Sequence, residues 1–323
     1  MTRIVVAGEA LIDRVVRVDG SVVETPGGGP YNAALTMARL GANVAFLGRL
    51  STDAAGQRLR AALAADGVGL DYAVMTDDRT TTGVATIDAG GTATYRFDLD
   101  GTSAAGLVRA DLAATGLEPA AVDVIHVGTL GLLLEPSGTT IEHLVGAAHP
   151  GALVFLDPNA RPAATTDLGG YRARISRLAA RADIVKVSTD DLRFLDAAGD
   201  AEAALANLRS AGPALILVTD GGAAVDVVTP TDRRRLPVPE IEVVDSVGAG
   251  DAFGGGFLAT WVLAGHGRAE LAATSLVDAT VRVAIEIAAL TCQRTGAQPP
   301  GRDDLSDWAR SEIRLAPAGP SLR

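Results

Sequence analysis

A turn of small residues that ends in an acidic side chain lies in the last third of the sequence. Gly248, Ala249 and Gly250 are followed directly by Asp251, and a helical pattern begins at about Ala252. Small residues allow the backbone to turn sharply and to approach a ligand closely. The first N–H groups of a helix have no partner within it, and together with the helix dipole they stabilise anions. The turn therefore predicts an anion hole of backbone amides, suited to the charge of a transferring phosphoryl group.

Asp251 is placed to face this anion hole. A helix start favours the charged form of a carboxylate, and a carboxylate in that place can accept the proton of an attacking hydroxyl. An aspartate at a helix start also commonly acts only as a cap. From the spacing alone, the catalytic and the capping interpretations stand about equal.

The elements that must position these residues follow an alternating pattern. Strands are predicted, from short apolar runs, at 4–7, 44–47, 124–127, 153–156, 184–187, 215–218 and 241–244. Helices are predicted, from Ala- and Leu-rich amphipathic segments, at 33–40, 57–65, 170–181 and 201–211, and 251–293 is mainly helical. Strands buried on both faces with helices between them are typical of an α/β fold with a doubly wound, mostly parallel sheet.

Two stretches depart from this alternation and predict a small antiparallel sheet apart from the main core. Residues 11–24 form short strands around a turn at Asp19-Gly20. Residues 80–99 alternate polar and apolar side chains, with a hairpin signal at Ala89-Gly90-Gly91. Such a sheet can be a lid, an interface or a surface decoration. No second domain boundary is evident, and the tail at 296–323 is expected to be partly mobile.

The composition excludes several classes of protein. With 48% hydrophobic residues and a formal net charge of -11, the 323-residue chain has enough apolar material for a large core, and its acidity argues against broad binding of nucleic acid or anionic membranes. The single cysteine, Cys292, excludes an intramolecular disulfide and a cysteine-rich metal site. Lys186 is the only lysine and is followed by Val187, so the Gly-Lys-Ser/Thr of a P-loop is absent. Without a recognisable signal peptide or membrane span, a cytoplasmic protein is expected.

The turn at Asp251 belongs to a longer motif. Residues 245–253, Asp-Ser-Val-Gly-Ala-Gly-Asp-Ala-Phe, closely resemble the D-T-x-G-A-G-D-x-F signature of the ribokinase-like (PfkB-type) carbohydrate kinases. The one departure is Ser246 in place of threonine, which keeps a hydroxyl.

A second motif resembles the N-terminal signature of the same family. The stretch 27–34, Gly-Gly-Gly-Pro-Tyr-Asn-Ala-Ala, is followed by Ala-Arg-Leu-Gly at 38–41, by Gly48-Arg49 and by Asp53. These residues are similar to the pattern G-G-x-x-x-N…A-x-L-G…G-x-x-x-x-D. The resemblance extends from about Val5 to Pro300, and it implies one ribokinase-like domain over 1–323 with a β-lid formed by about 11–24 and 80–99.

The resemblance assigns a role to the anion hole. In this family ATP phosphorylates a hydroxyl of a sugar or nucleoside without a covalent enzyme intermediate, and the last aspartate of the signature is the catalytic base. That residue is Asp251 here, and the amides of Gly248, Ala249 and Gly250 form the anion hole. Phosphoryl transfer depends above all on positioning and charge stabilisation, so the physical argument and the resemblance agree.

The resemblance also implies a sugar site. An acidic residue at the position of Asp13 grips two sugar hydroxyls in relatives, and a carboxylate suits that role because it accepts two hydrogen bonds at once. Asn159 and Arg161 lie in a D-P-N-x-R element that follows a central strand, where ligands of open α/β sheets bind. For Asp13 and Arg161, a solvated turn charge and a surface ion pair are the alternatives. The implied sugar-binding residues are Asp13, Gly27, Gly28, Asn32, Asn159 and Arg161.

The nucleotide site is implied by two further segments. Residues 186–191 lie where relatives carry an N-x-x-E element that organises Mg²⁺ and phosphate through water, and here Ser188 and Asp191 replace the Asn and the Glu. Val218-Thr219-Asp220-Gly221 resembles the V-T-x-G turn at the nucleotide, although Ala224 stands where relatives often have glycine. The implied nucleotide-binding residues are Lys186, Ser188, Thr219, Gly221, Gly248 and Gly250.

The cofactors implied by the resemblance are ATP with Mg²⁺, and K⁺ in some members. Asp191 is the candidate that holds Mg²⁺ through water, and Asp245 and Val247 are the candidates for K⁺. Residues 288–296, Ala-Ala-Leu-Thr-Cys-Gln-Arg-Thr-Gly, resemble the element beside the adenine. The lid would exclude water, and in relatives it often pairs with its copy, so a homodimer through the lid is expected.

Fructokinase is the leading subtype. It is favoured by residues 8–13, by Tyr95-Arg96-Phe97 followed by Gly101-Thr102, and by residues 157–161. Ribokinase and 2-keto-3-deoxygluconate kinase stay open, since acceptor choice depends on a few pocket side chains. A non-catalytic sugar sensor is an alternative of a different class. A nicotinamide-dependent oxidoreductase is disfavoured because no G-x-G-x-x-G turn follows the first strand.

Overall fold

The computed structural model describes residues 2–87 and 93–313. The strands in these ranges are β1 Ile4–Ala7, β2 Leu11–Val16, β3 Val22–Gly27, β4 Val44–Ser51, β5 Ala73–Thr76, β6 Thr82–Ile87, β7 Ala93–Asp98, β8 Val124–Gly128, β9 Leu153–Asp157, β10 Ile184–Ser188, β11 Leu215–Thr219, β12 Ala224–Val228 and β13 Arg233–Pro237. The helices are α1 Gly29–Arg39, α2 Ala54–Ala65, α3 Arg109–Ala114, α4 Leu130–Leu133, α5 Ser137–Ala147, α6 Leu168–Ala179, α7 Thr189–Leu195, α8 Ala201–Ala211, α9 Ala249–Leu263, α10 Thr274–Cys292 and α11 Asp307–Glu312. The predicted hairpin turn at Ala89-Gly90-Gly91 and residues 314–323 of the tail lie outside the described residues.

A nine-stranded sheet forms the centre of the fold, in the order β13-β12-β11-β10-β9-β8-β1-β4-β5. The strands from β11 to β5 in this order run parallel, and β12 and β13 are added antiparallel at one edge. From β1 the chain first builds outward through β4 and β5, and it then returns to build the other half from β8. The point where this direction reverses lies between β1 and β8, and ligands of open α/β sheets bind in the crevice at such a point. The predicted doubly wound, mostly parallel sheet is confirmed.

Helices cover both faces of this sheet. In β1, Ile4 and Val6 join a core cluster with side chains of α1, α2, α9 and α10, whereas Val5 and Ala7 join a second cluster with side chains of α5, α6 and α8. Successive residues of a strand point to opposite faces, so a fully apolar strand is what burial on both sides requires. Even α10, the longest helix in the described part of the chain, is too short or too polar to span a membrane.

Six of the seven predicted strands are present, but the one predicted at 241–244 is wrong. Val243 and Val244 are each 59% exposed, and the N–H groups of Val244 and Asp245 donate to the carbonyl oxygen of Cys292 at the end of α10. The apolar residues there belong to a loop that is hydrogen-bonded to the end of α10, and not to a strand of the sheet. The strands β5, β12 and β13 at the two ends of this sheet were not predicted.

The two stretches that depart from the alternation form a separate four-stranded sheet, in the order β3-β2-β6-β7. It consists of two antiparallel hairpins, β2–β3 and β6–β7, whose inner strands β2 and β6 pair in parallel. The predicted small sheet is thus present, and we call it the lid sheet. Because β2 begins four residues after β1 ends, the lid sheet stands directly beside the carboxyl ends of the main strands.

Candidate active site

The candidate site lies at the carboxyl ends of the parallel strands. Glu9 and Thr129 follow β1 and β8 on either side of the point where the winding reverses, and Asn159 follows β9. Ser188 and Thr219 are the last residues of β10 and β11. Since these strands are parallel, all five residues lie along one edge of the sheet.

Asp251 is held from two sides by asparagine side chains. It is the third residue of α9 and is 7% exposed. The Asn32 side-chain amide donates to Oδ2 of Asp251 at 2.8 Å, and that of Asn159 donates to Oδ1 at 3.0 Å. Arg161 donates to Oδ1 of Asn159 at 2.6 Å, which fixes the orientation of that amide. Each carboxylate oxygen of Asp251 keeps lone-pair capacity for a further donor such as a substrate hydroxyl.

Glycines bring α1 close enough for this contact. A Cβ on Gly255 of α9 would lie 2.8 Å from the carbonyl oxygen of Ala33 in α1, so the two helices approach at this point only without a side chain. A Cβ on Gly29, the first residue of α1, would lie 3.2 Å from Oδ1 of Asp251. The start of α1 therefore packs directly against the carboxylate.

The three residues predicted to form an anion hole lie at the start of α9. Gly248 has a φ of 78°, and a Cβ there would lie 2.4 Å from Cβ of Ala297, so only glycine fits. The N–H of Ala249 lies 3.3 Å from the carbonyl oxygen of Ser246, while in the described residues the N–H groups of Gly248 and Gly250 have no acceptor. Two of the three predicted amides are thus free to receive an anion.

A buried ion pair lies beneath this helix start. Nζ of Lys186 is 3.1 Å and 3.3 Å from the two carboxylate oxygens of Asp157, and a Cβ on Gly250 would lie 3.0 Å from the same Nζ. Burial raises the pKa of Asp157 to about 7 against the opposing attraction of Lys186. Burial lowers the pKa of Lys186, but Asp157, Asp191 and Asp251 raise it by more, which keeps the ammonium charged. Burial, with Lys186 nearby, lowers the pKa of His126 to about 3, so that ring is neutral.

Asp13 lies in a cradle made by two glycines of the lid sheet. A Cβ on Gly27 would lie 2.1 Å from Oδ2 of Asp13, and one on Gly83 would lie 2.9 Å from Oδ1. Burial and the charge of Asp251 raise the pKa of Asp13 to about 6, while Arg161 opposes the shift. Asp13 on the lid sheet and Asp251 on α9 therefore face one site, and their negative charges repel each other.

Asp191 is already bound on both oxygens by the protein. Its Oδ2 accepts from the N–H and the hydroxyl of Ser188 at 2.8 Å and 2.7 Å, and its Oδ1 accepts from the N–H of Ala160 at 2.7 Å. These bonds cap α7 and tie the loop after β9 to it. Across the two described ranges, no group of three or more His, Cys, Asp or Glu residues could hold a metal ion. The donor set suits a metal that is held mainly by nucleotide phosphates, as Mg²⁺ usually is.

The remaining predicted residues lie further along the same edge. Asp245 accepts from the N–H of Val247 at 3.0 Å and from that of Gly296 at 2.9 Å. It therefore joins the loop before α9, which we call the signature loop, to the segment after α10. Thr219 is half-buried and donates to the carbonyl oxygen of Val187 at 3.4 Å. Gly221 has a φ of 52° and open space beside it.

Glu9 was not singled out from the sequence. It is 1% exposed, and burial raises its pKa to about 7. Its Oε1 accepts from the N–H of Gly29 at 3.2 Å and its Oε2 from the N–H of Gly131 at 2.8 Å. A carboxylate two residues after a fully buried strand was the available signal, but its partners are 20 and 122 residues away in sequence.

The chain is similar to known carbohydrate kinases in both sequence and structure. The pfkB family of carbohydrate kinases matches residues 1–304. The chain is 32% identical over 306 residues to a fructokinase of Klebsiella pneumoniae, covering 94% of this chain and 98% of that one. It is 34% identical over 262 residues to a fructokinase of Rhizobium leguminosarum bv. trifolii, covering 80% and 79%. A crystal structure of a fructokinase with bound ATP from Xylella fastidiosa superposes with a TM-score of 0.81 at 27% identity, over 96% of both chains.

Proposed function

The chain belongs to the pfkB family of carbohydrate kinases, and on that basis we propose that this sugar kinase transfers the γ-phosphoryl group of ATP to a hydroxyl of fructose. The two relatives named above are fructokinases, and the structural neighbour is a fructokinase described with bound ATP. The observation that carries the proposal is the carboxylate of Asp251, held by Asn32 and Asn159 beside the free N–H groups that begin α9.

In the proposed reaction Asp251 accepts the proton of the attacking sugar hydroxyl. The hydroxyl oxygen forms a bond to the γ-phosphorus, the bond from that phosphorus to the bridging oxygen breaks, and ADP leaves. The N–H groups of Gly248 and Gly250 stabilise the charge on the transferring group. Lys186, buried beneath Gly250, adds positive potential at the same place. Arg161 and Asn159 orient Asp251 and the sugar.

The charges around the acceptor site favour a neutral sugar. Asp251 and Glu9 are acidic and buried, and Asp13 is acidic and half-buried. The cation that opposes the charge of both Asp13 and Glu9 is Arg161, which is bonded to Asn159. An acceptor with its own carboxylate or phosphate would add a further negative charge to this group. The site therefore favours fructose over 2-keto-3-deoxygluconate and over fructose phosphates, whereas ribose, which is neutral, stays the alternative.

Magnesium and potassium belong to the same proposal. Mg²⁺ bound to the ATP phosphates would neutralise the charge that develops on them, and Asp191 would contact it through water from the start of α7. Asp245 and the carbonyl of Val247 would hold K⁺ where the signature loop meets the segment after α10. Lys186, Ser188, Thr219 and Gly221 would line the nucleotide site.

The lid sheet is the proposed dimer interface. Val18 and Val22, at the turn and on the edge strand β3, are 64% and 51% exposed. An edge strand with exposed apolar side chains is a site for pairing with another chain. Sedimentation over a range of protein concentrations tests this, and a monomer at all concentrations contradicts it.

An ADP-release assay tests the kinase proposal. With Mg·ATP, the acceptors are fructose, ribose, 2-keto-3-deoxygluconate, glucose, adenosine and fructose phosphates, each also run with Asp251→Ala. Turnover that is highest on fructose and falls about 10²- to 10⁴-fold in the variant is expected. Higher turnover on an anionic acceptor contradicts the charge argument. Sugar binding without turnover on any acceptor, in a folded protein that binds Mg·ATP, would favour a sugar sensor.

A further inference from the structure

Glu9 joins two loops that line the candidate site, but it has no part in the phosphoryl transfer described so far. It lies at the point where the sheet winding reverses, two residues after the end of β1. Its two carboxylate oxygens accept from the first residue of α1 and from the second residue of α4. These elements begin after β3 of the lid sheet and after β8 of the main sheet. One side chain therefore fixes the two walls of the crevice to each other.

The first of these walls leads to the catalytic carboxylate. Gly29, whose N–H Glu9 binds, would place a Cβ 2.2 Å from Oγ1 of Thr129 and 3.2 Å from Oδ1 of Asp251. One turn later in α1, Asn32 donates to Asp251 at 2.8 Å. A shift at the start of α1 is thus passed to Asp251 within a single helical turn.

Backbone geometry supports a precise role for this contact. Thr129 has a φ of 56°, which is rare for a residue other than glycine. A Cβ on Gly28 would lie 2.9 Å from the carbonyl oxygen of Glu9 itself. Backbone held in such conformations persists when the surrounding structure over-determines it, and it is concentrated at functional sites. Glu9 supplies two of the bonds that hold these loops.

We propose that Glu9 is a positioning residue for phosphoryl transfer, which acts through the start of α1 and Asn32 on the orientation of Asp251. This rests on the proposed kinase function. Glutamine has nearly the same shape as glutamate, but its terminal NH2 group only donates hydrogen bonds. One of the two backbone N–H groups that Glu9 binds, of Gly29 or of Gly131, would therefore lose its acceptor. We expect the start of α1 to shift, and a misplacement of reacting groups by about 1 Å can lower the rate about a hundredfold.

The test is a double-mutant cycle on fructose phosphorylation with Glu9→Gln, Asn32→Ala and the double variant. Glu9→Gln is expected to lower kcat/KM for fructose about 10- to 100-fold, to leave KM for ATP unchanged and to remain folded. If Glu9 acts through Asn32, adding Glu9→Gln to the Asn32→Ala variant lowers kcat/KM much less than adding it to the wild type does, because the effects of coupled sites are not additive.

Asp183→Asn is the matched control. Asp183 is also buried and accepts a backbone N–H, from Val154 at 2.9 Å, but it lies at the opposite end of β10. It is expected to change thermal stability without changing kcat/KM. Additive effects of Glu9→Gln and Asn32→Ala, an equal rise in KM for ATP, or loss of folding in Glu9→Gln would each overturn the proposal. A wild-type protein inactive on fructose would instead refute the proposed function, which separates the two failures.

Discussion

Replacing Asp13 by asparagine is expected to weaken the use of fructose and at the same time to stabilise the fold. Burial and the charge of Asp251 raise the pKa of this carboxyl from 3.8 to about 6. The folded protein therefore holds an unfavourable charge at neutral pH, which Asp13→Asn removes. The two effects have opposite signs, so a general disruption of the lid sheet cannot produce both.

The pKa shift sets the size of the gain in stability. A shift of about two units corresponds to about 3 kcal/mol in the free energy of unfolding, as an upper bound, at about 1.4 kcal/mol per unit. Because the folded pKa lies above the unfolded one, the stability of the wild type falls as the pH rises from about 4 to about 6 and is level beyond that. Asp13→Asn is expected to gain most above pH 6 and nothing near pH 4.

The expected loss of function follows from the hydrogen bonds that Asp13 is proposed to accept from the sugar. A hydrogen bond to a charged group contributes about 1.5–3 kcal/mol, and the asparagine keeps only a neutral acceptor. The value of kcat/KM for fructose is expected to fall about 10- to 150-fold, while KM for ATP is unchanged.

Urea unfolding at pH 5, 6 and 7.5, together with fructose kinetics, measures both effects. Asp19→Asn, on the exposed turn of the same hairpin, is the control and is expected to change stability by less than about 0.5 kcal/mol. A stability difference for Asp13→Asn that does not depend on pH, or an unchanged kcat/KM, would refute the reasoning.

Two further substitutions test the proposed anion hole and the ion pair beneath it. Gly248→Ala would force an alanine into a left-handed conformation and place its Cβ 2.4 Å from that of Ala297, so it is expected to lower both kcat and the free energy of unfolding. The control Gly199→Ala, at a φ of 77° with open space around it, is expected to lower the free energy of unfolding by about 1 kcal/mol and to leave kcat unchanged. Equal losses of kcat in the two variants would contradict a role for Gly248 in the reaction. Lys186→Met leaves Asp157 buried without its partner, which is expected to reduce the free energy of unfolding by about 3–5 kcal/mol. That loss should be smaller at pH 6 than at pH 8, because the Asp157 carboxyl can then be protonated; urea unfolding that shows no such difference would count against the pair.

The sequence signals that depend on local pattern predicted most of the fold. Apolar runs with buried faces predicted β1 and β8 because a strand covered on both sides is apolar throughout. The helix at Ala201–Ala211 was predicted with its observed bounds. The edge strand β13, Arg233–Pro237, was missed because three consecutive arginines do not resemble a buried strand. The run at 241–244 was misread because Val243 and Val244 are exposed and the N–H of Val244 donates to the end of α10.

The site was accessible from sequence where a motif marks it. The structure brings Asn32, Asn159 and Asp251 into direct contact, although these residues are up to 219 positions apart, and their assigned roles remain predictions. Glu9 could not be ranked above Asp13, since its significance lies in two backbone N–H groups from distant segments. Likewise, the sequence placed Lys186 at the nucleotide but could not show that Asp157 partners it beneath α9.

The chain has one lysine, and that lysine is 3% exposed. A reagent that acylates amines should therefore modify the folded protein only at its terminal amine, since the other cations are arginines. Lys186 becomes reactive only when the region beneath α9 opens. The rate at which a second acyl group appears, followed by mass spectrometry, would report that opening directly. Nucleotide or sugar bound at the proposed site above Gly250 should slow it.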